Sequence, residues 1–152
     1  MRPFRRRKVT DGPPVISIAR PPVEFMGVAP GEADLAAFPY EFLTDADVPV
    51  RLHDMQFLGV DHHAPTAELT LRFVYDDPEC TPAKARDTPV AVFRFEEVLV
   101  QQWEDLDAPG PDPNRVCAMS YDEPRRLIGL STGRTHLVVT GRRMSVSMEP
   151  RQ

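Results

Sequence analysis

A chain of 152 residues suffices for one domain with a sizeable core, burying about 70% of the surface its unfolded form exposes. Its residues are 41% apolar and 27% charged, and no apolar run approaches the roughly 20 residues of a membrane-spanning helix, which excludes an integral helical membrane protein. The formal net charge of −5 conceals a division: residues 1–23 set six bases against Asp11, residues 24–123 set 21 acids against six bases, and residues 124–152 set six arginines against Glu149.

Seventeen prolines work against long helices. From Met1 to about Asp47 no period of 2 or 3.6 is sustained, and Pro13, Pro14, Pro21, Pro22, Pro30 and Pro39 interrupt each apolar cluster. Residues 1–47 therefore read as an irregular Pro- and Arg-rich arm, mobile to about Pro22, ahead of a β-rich domain at 48–150. Within the arm, Val15-Ile-Ser-Ile-Ala19 could add an edge strand and Glu32 to Phe38 a helical turn or two. Met26 could be the true start, which would make residues 1–25 an extension outside the protein proper. The apolar stretch behind Arg5-Arg-Arg-Lys8 is too short for a secretory signal, and Cys80 and Cys117 are the only cysteines, so a reduced cytoplasmic setting is expected.

Regular patterning begins at Val50. Met55, Phe57 and Gly59 alternate with Asp54, Gln56 and Leu58, His62-His63-Ala64-Pro65 breaks the run, and Leu69, Leu71, Phe73 and Tyr75 alternate with polar neighbours. Two antiparallel strands joined by a turn explain this, with His62 and His63 in the turn. After a polar loop from Cys80 to Pro89, a β segment runs from Val90 to about Trp103, bent at Glu96-Glu97. Asp107 to Pro113 is a loop, and Val116 to Tyr121, Leu127 to Leu130, Thr135 to Thr140 and Met144 to Met148 read as four more strands. About seven strands at close spacing predict a mainly β, single-domain antiparallel sandwich or partly closed barrel. Leu69, Leu71, Phe73, Phe93, Phe95, Val138 and Val146 are its expected core, and Cys117, in alternation with Met119 and Tyr121, is expected to point inward.

Three constellations could carry function. Returning from the hairpin turn, the second strand brings Tyr75, Asp76 and Asp77 beside His53 and Asp54, where His53 could hydrogen-bond the phenol or a carboxylate; the alternative is a tethered strand end. Glu96-Glu97 and Glu104-Asp105-Leu-Asp107 bracket Trp103, an arrangement that could anchor a basic partner, unless Trp103 caps the core beside Leu99. Arg5, Arg6, Arg7 and Lys8 could contact nucleic-acid phosphates without reading sequence, although no aromatic platform accompanies them. Cys80, among Asp76, Asp77 and Glu79, is a poor nucleophile. His53-Asp54 matches the dyad of HD phosphohydrolases only superficially, since those enzymes are helical. No Gly-rich phosphate loop, CxxC, HExxH or GxSxG motif occurs, so no cofactor or metal is expected and no residue pattern argues for catalysis.

Leu52-His53-Asp54, the alternating Leu69-Thr-Leu-Arg-Phe73 and Phe93-Arg-Phe-Glu-Glu-Val98 lie between Leu52 and Trp103, about a third of the chain. This segment resembles the small β-rich immunity proteins of bacterial polymorphic toxin systems. The resemblance implies a non-enzymatic protein that neutralises a toxin domain by binding it. The expectation is thus a protein-binding β domain of immunity type that presents an acidic surface to a basic partner. The alternatives are a nucleic-acid-associated accessory protein using the basic arm and C-terminal arginines, and a small β-barrel enzyme or ligand-binding domain centred on His53.

Overall fold

The structure, a computed structural model, describes residues 23–30, 41–106, 112–122 and 124–152. In chain order the strands are β1 (Glu24–Met26), β2 (Val28–Pro30), β3 (Glu41–Thr44), β4 (Pro49–Arg51), β5 (Gln56–His63), β6 (Glu68–Val74), β7 (Val90–Glu96), β8 (Leu99–Asp105), β9 (Val116–Asp122), β10 (Leu127–Thr132), β11 (Thr135–Thr140) and β12 (Arg143–Glu149). They form a five-stranded sheet in the order β1-β12-β7-β6-β5, a four-stranded sheet in the order β8-β11-β10-β9 and a three-stranded sheet in the order β2-β3-β4. Every pairing is antiparallel except that of β1 with β12. The fold is mainly β, and its sheets pack as a sandwich; the partly closed barrel is not formed.

The core follows from strand alternation. Leu69, Leu71 and Phe73 on β6 face Phe95, Phe93 and Ala91 on β7 in register, and all six are fully buried. Phe73 stands between Phe57 and Phe93, at ring-centroid distances of 5.4 and 5.2 Å. From the three-stranded sheet, Phe42 meets Phe93 edge-on at 5.4 Å, and the four-stranded sheet adds Met119, Tyr121, Ile128, Leu130, Leu137 and Val139. Burial of each such side chain contributes about 1.5–3 kcal/mol, which is what holds the sheets face to face.

Several expectations need correction. There are twelve strands among the described residues where about seven were expected, because β1 to β4 are three or four residues long and show no readable period. Three of these fall inside the stretch expected to be irregular. Val23, Val28 and Phe42 belong to the core, and the Val23 amide donates to the Tyr121 hydroxyl at 3.0 Å, so the folded unit begins well before residue 48. The arm to Pro22, the edge strand at Val15–Ala19 and the helical turn at Glu32–Phe38 lie outside the described residues.

His62 and His63 are not in the turn. They close β5, paired with Leu69 and Glu68, and the reversal falls on Ala64–Thr66 and Ala67, whose φ is +53°. The Glu96-Glu97 bend is real and larger than a bulge: Glu97 has φ +53°, and the chain passes from the five-stranded to the four-stranded sheet there. Val138 lies on the outer face of β11, while Leu137 and Val139 face the core. In Thr-His-Leu-Val-Val-Thr three apolar residues in a row leave the phase of alternation open, and the cross-strand partners decide it. Cys117 is exposed and Val116 buried, because a register shift opposite Ser131 and Thr132 changes the face of the first β9 residues.

Among the described residues, no helix is long and apolar enough to cross a membrane.

Candidate binding surface

The first predicted constellation assembles, but as scaffold. Leu52–Asp54 forms a single 3-10 turn that drives Leu52 into the core and leaves His53 exposed, its Nε2 3.4 Å from Asp54 Oδ1. The Tyr75 side chain is buried, and its hydroxyl donates to the Pro49 carbonyl at 2.7 Å and accepts from the Arg51 amide at 2.8 Å. Burial pushes its pKa up to about 12, partly offset by the Arg51 amide and charge. Asp77 organises the following loop: its Oδ1 accepts the Glu79 amide, its Oδ2 accepts the Cys80 thiol and its carbonyl accepts the Thr81 hydroxyl. Asp76 is exposed beside a cleft of about 200 Å³ that Tyr75, Thr81, Arg86 and Arg151 also line. Desolvation of the sulfur raises the Cys80 thiol above its ordinary value, and the charges of Asp77 and Asp54 add to it. Tyr75 and Asp77 are therefore structural tethers. Among the described residues, no group of three or more His, Cys, Asp or Glu could hold a metal ion.

The acidic bracket around Trp103 is not a ring. Glu96 ends β7 and Glu97 follows it, ahead of β8, whereas Glu104 and Asp105 close β8 about 20 Å further at roughly 3.3 Å per residue. Glu96 lies 3.7 Å from Arg143, which also binds Glu24 at 3.0 Å, and Glu97 lies 3.2 Å from Arg142. Charges separated along the chain thus recombine in space. With Arg125 on Asp122 and Arg151 on the Tyr75 carbonyl, most of the C-terminal arginines already have partners within the fold. Such exposed pairs contribute about 0–1 kcal/mol each, so their main consequence is a less polarised surface than the sequence suggests.

Glu104 has no ion-pair partner among the described residues, Asp105 accepts the Thr135 hydroxyl at 2.8 Å, and Asp107 lies outside the described residues. Trp103 itself is 42% exposed and Leu99 64%. They do not cap the core together. A register shift between Val138 and Val139 puts Leu99 opposite Thr140 on the outer face and Trp103 opposite Leu137 on the inner face, at the rim of the sandwich. Because β8 ends its sheet, one side of its backbone pairs with no strand among the described residues. Leu106 extends this apolar rim at 52% exposure.

Sequence reasoning missed Leu58. It is the extra residue of a bulge, since Phe57 pairs with Phe73 and Gly59 with Arg72, and it stands 56% exposed. Gly59 carries φ +153° there, a conformation that side-chain-bearing residues rarely adopt. Gly59 inside an alternating run was the available signal. Leu58 and Trp103 flank one cleft of about 200 Å³ between β5 and β8, with Val60, Asp105 and Arg134 also in its wall. Leu58 borders a second cleft of about 250 Å³ on the outer face of the five-stranded sheet.

No protein-family model, curated protein or solved structure matches the chain.

Proposed function

We propose that the protein is a non-catalytic binding domain that receives a basic protein partner along β8, with Trp103 as the hydrophobic anchor. The observation that carries this reading is the half-exposed Trp103 on an edge strand, beside a recess and next to Glu104, which has no ion-pair partner among the described residues. An unpaired strand edge offers backbone hydrogen bonds to an added strand, and pockets beside it select side chains. A Trp at the centre of such a contact supplies most of the affinity, while the acids beside it steer approach. Neutralisation of a toxin domain in the bacterial cytoplasm, in the manner of an immunity protein, is the biological role this binding would serve.

The test is capture of the partner from the source organism, followed by association and dissociation kinetics over a salt series. Trp103→Ala should speed dissociation at least tenfold. Glu104→Lys with Asp107→Lys should mainly slow association, with the effect fading as salt screens exposed charges over about 10 Å at 0.1 M. Asp105 is left intact because it holds Thr135. Capture of nucleic acid through Arg5 to Lys8, indifferent to both sets of changes, would replace this reading with a nucleic-acid-associated one.

A further inference from the structure

The outer face of the five-stranded sheet departs from alternation at one end. Val74 follows Phe73 with both buried, and Val90-Ala-Val-Phe93 is buried on both faces, so Val74, Val90 and Val92 form a second apolar cluster apart from the main core. Strands buried on both sides read as continuous apolar runs, and Val74, Val90 and Val92 are all buried on this outer face. Pro150, Val74, Val90 and Leu58 all line the cleft of about 250 Å³ on this face.

One wall of that cleft is Arg72, which stands opposite Val92 in register and is exposed. Among the described residues its guanidinium makes no hydrogen bond or ion pair. Glu149, which shares the cleft and feels the charge of Arg72, is already held by Arg94 at 2.8 Å and by Ser147 at 3.4 Å, and hydrogen bonding to Arg94 is the main reason its carboxyl lies below the usual range. Arg151 also lines the cleft, with one of its donors on the Tyr75 carbonyl. The cleft therefore combines a valine floor with a guanidinium whose planar donor fork is unoccupied by any described residue and a second guanidinium with donors to spare.

We propose that this cleft binds a small monocarboxylate with a short apolar tail, its carboxylate on Arg72 and its tail against Val74, Val90 and Pro150. A guanidinium fork matches a carboxylate through two parallel hydrogen bonds. The volume lies below the roughly 300–1,000 Å³ typical of drug-sized ligands, which sets the ligand at about six to ten non-hydrogen atoms. The negative charge of Glu149 at the rim disfavours a phosphate dianion more than a single carboxylate, so charge complementarity selects the monoanion. This site shares only Leu58 with the cleft beside β8 and stands whether or not that surface binds a protein.

The experiment is titration of the intact protein with hexanoate, followed by amide chemical shifts and calorimetry, with hexanamide as the neutral isostere. Saturable shifts should concentrate at Val74, Val90 and Gln152, hexanamide should bind at least tenfold more weakly, and Arg72→Gln should weaken hexanoate at least tenfold. Arg72→Lys, which keeps the charge and loses the fork, should fall between. The amide spectrum of each variant reports its fold directly, and Arg151→Gln serves as the second variant, with a smaller loss expected. Absence of saturable shifts up to about 10 mM hexanoate, equal binding of hexanamide, or unchanged binding by Arg72→Gln would each overturn the proposal.

Discussion

The Tyr75 hydroxyl accepts the Arg51 amide at 2.8 Å, and by donating to Pro49 two residues earlier it takes the place of a neighbouring strand along the β4 edge. Tyr75→Phe would leave that amide and carbonyl without their partner, at a cost of about 1–3 kcal/mol in chemical denaturation. The pH dependence has a definite sign. Because the folded phenol ionises at about 12 against an ordinary 10, its contribution is complete below pH 10 and is lost as pH rises from 10 to about 12. Denaturation midpoints should fall through that window, and the fall should be shallower in Tyr75→Phe.

Phe73 and Val138 separate the two faces of the sandwich. Phe73 is fully buried between two aromatic rings, so Phe73→Ala should cost about 3–5 kcal/mol. Val138 is half-buried on an outer face, and Val138→Ala should cost less than about 1 kcal/mol. Urea denaturation of both variants checks the assignment, and a larger loss at Val138 would reverse the phase of β11.

The Cys80 loop makes a kinetic prediction. A thiol held above its ordinary value has less thiolate, the reactive form, so at about pH 8 Cys80 should alkylate more slowly in the folded protein than in the unfolded chain. Asp77→Asn removes one of the charges responsible and should raise the folded-state rate. Alkylation resolved by peptide mass spectrometry reads both, and an unchanged rate in Asp77→Asn would exclude Asp77 as a cause.

The parts of the fold legible in the sequence were those where alternation is long and one face is plainly apolar. Leu69-Thr-Leu-Arg-Phe73 defined β6, and Thr135 to Thr140 gave β11 its bounds. What escaped was structure whose cause lies across the sheet. The β8 bulge that parts Leu99 from Trp103 and the shift that exposes Cys117 depend on the partner strand's register, which a single strand does not encode. The pairing of Glu96 and Glu97 with Arg143 and Arg142 joins residues some 45 positions apart, so charge counts along the chain exaggerated the acidity of that surface. Arg72 attracted no notice for the same reason, since its setting is assembled from β5, β6, β7 and the stretch after β12.

The parallel pairing of β1 with β12 has a consequence for how the protein is made. Glu24 lies opposite Arg143 and its carboxylate bonds that guanidinium, a separation of 119 residues. On a translating ribosome β1 emerges early, yet its neighbour is synthesised only after every other described strand. The hairpins β5–β6 and β10–β11 join near neighbours and can form as they appear, whereas the five-stranded sheet cannot gain its β1 edge until Arg143 is clear of the exit tunnel. Phe25, which packs edge-on against Tyr121 at 5.9 Å, waits with it, so chaperone demand should persist until the final strand is released.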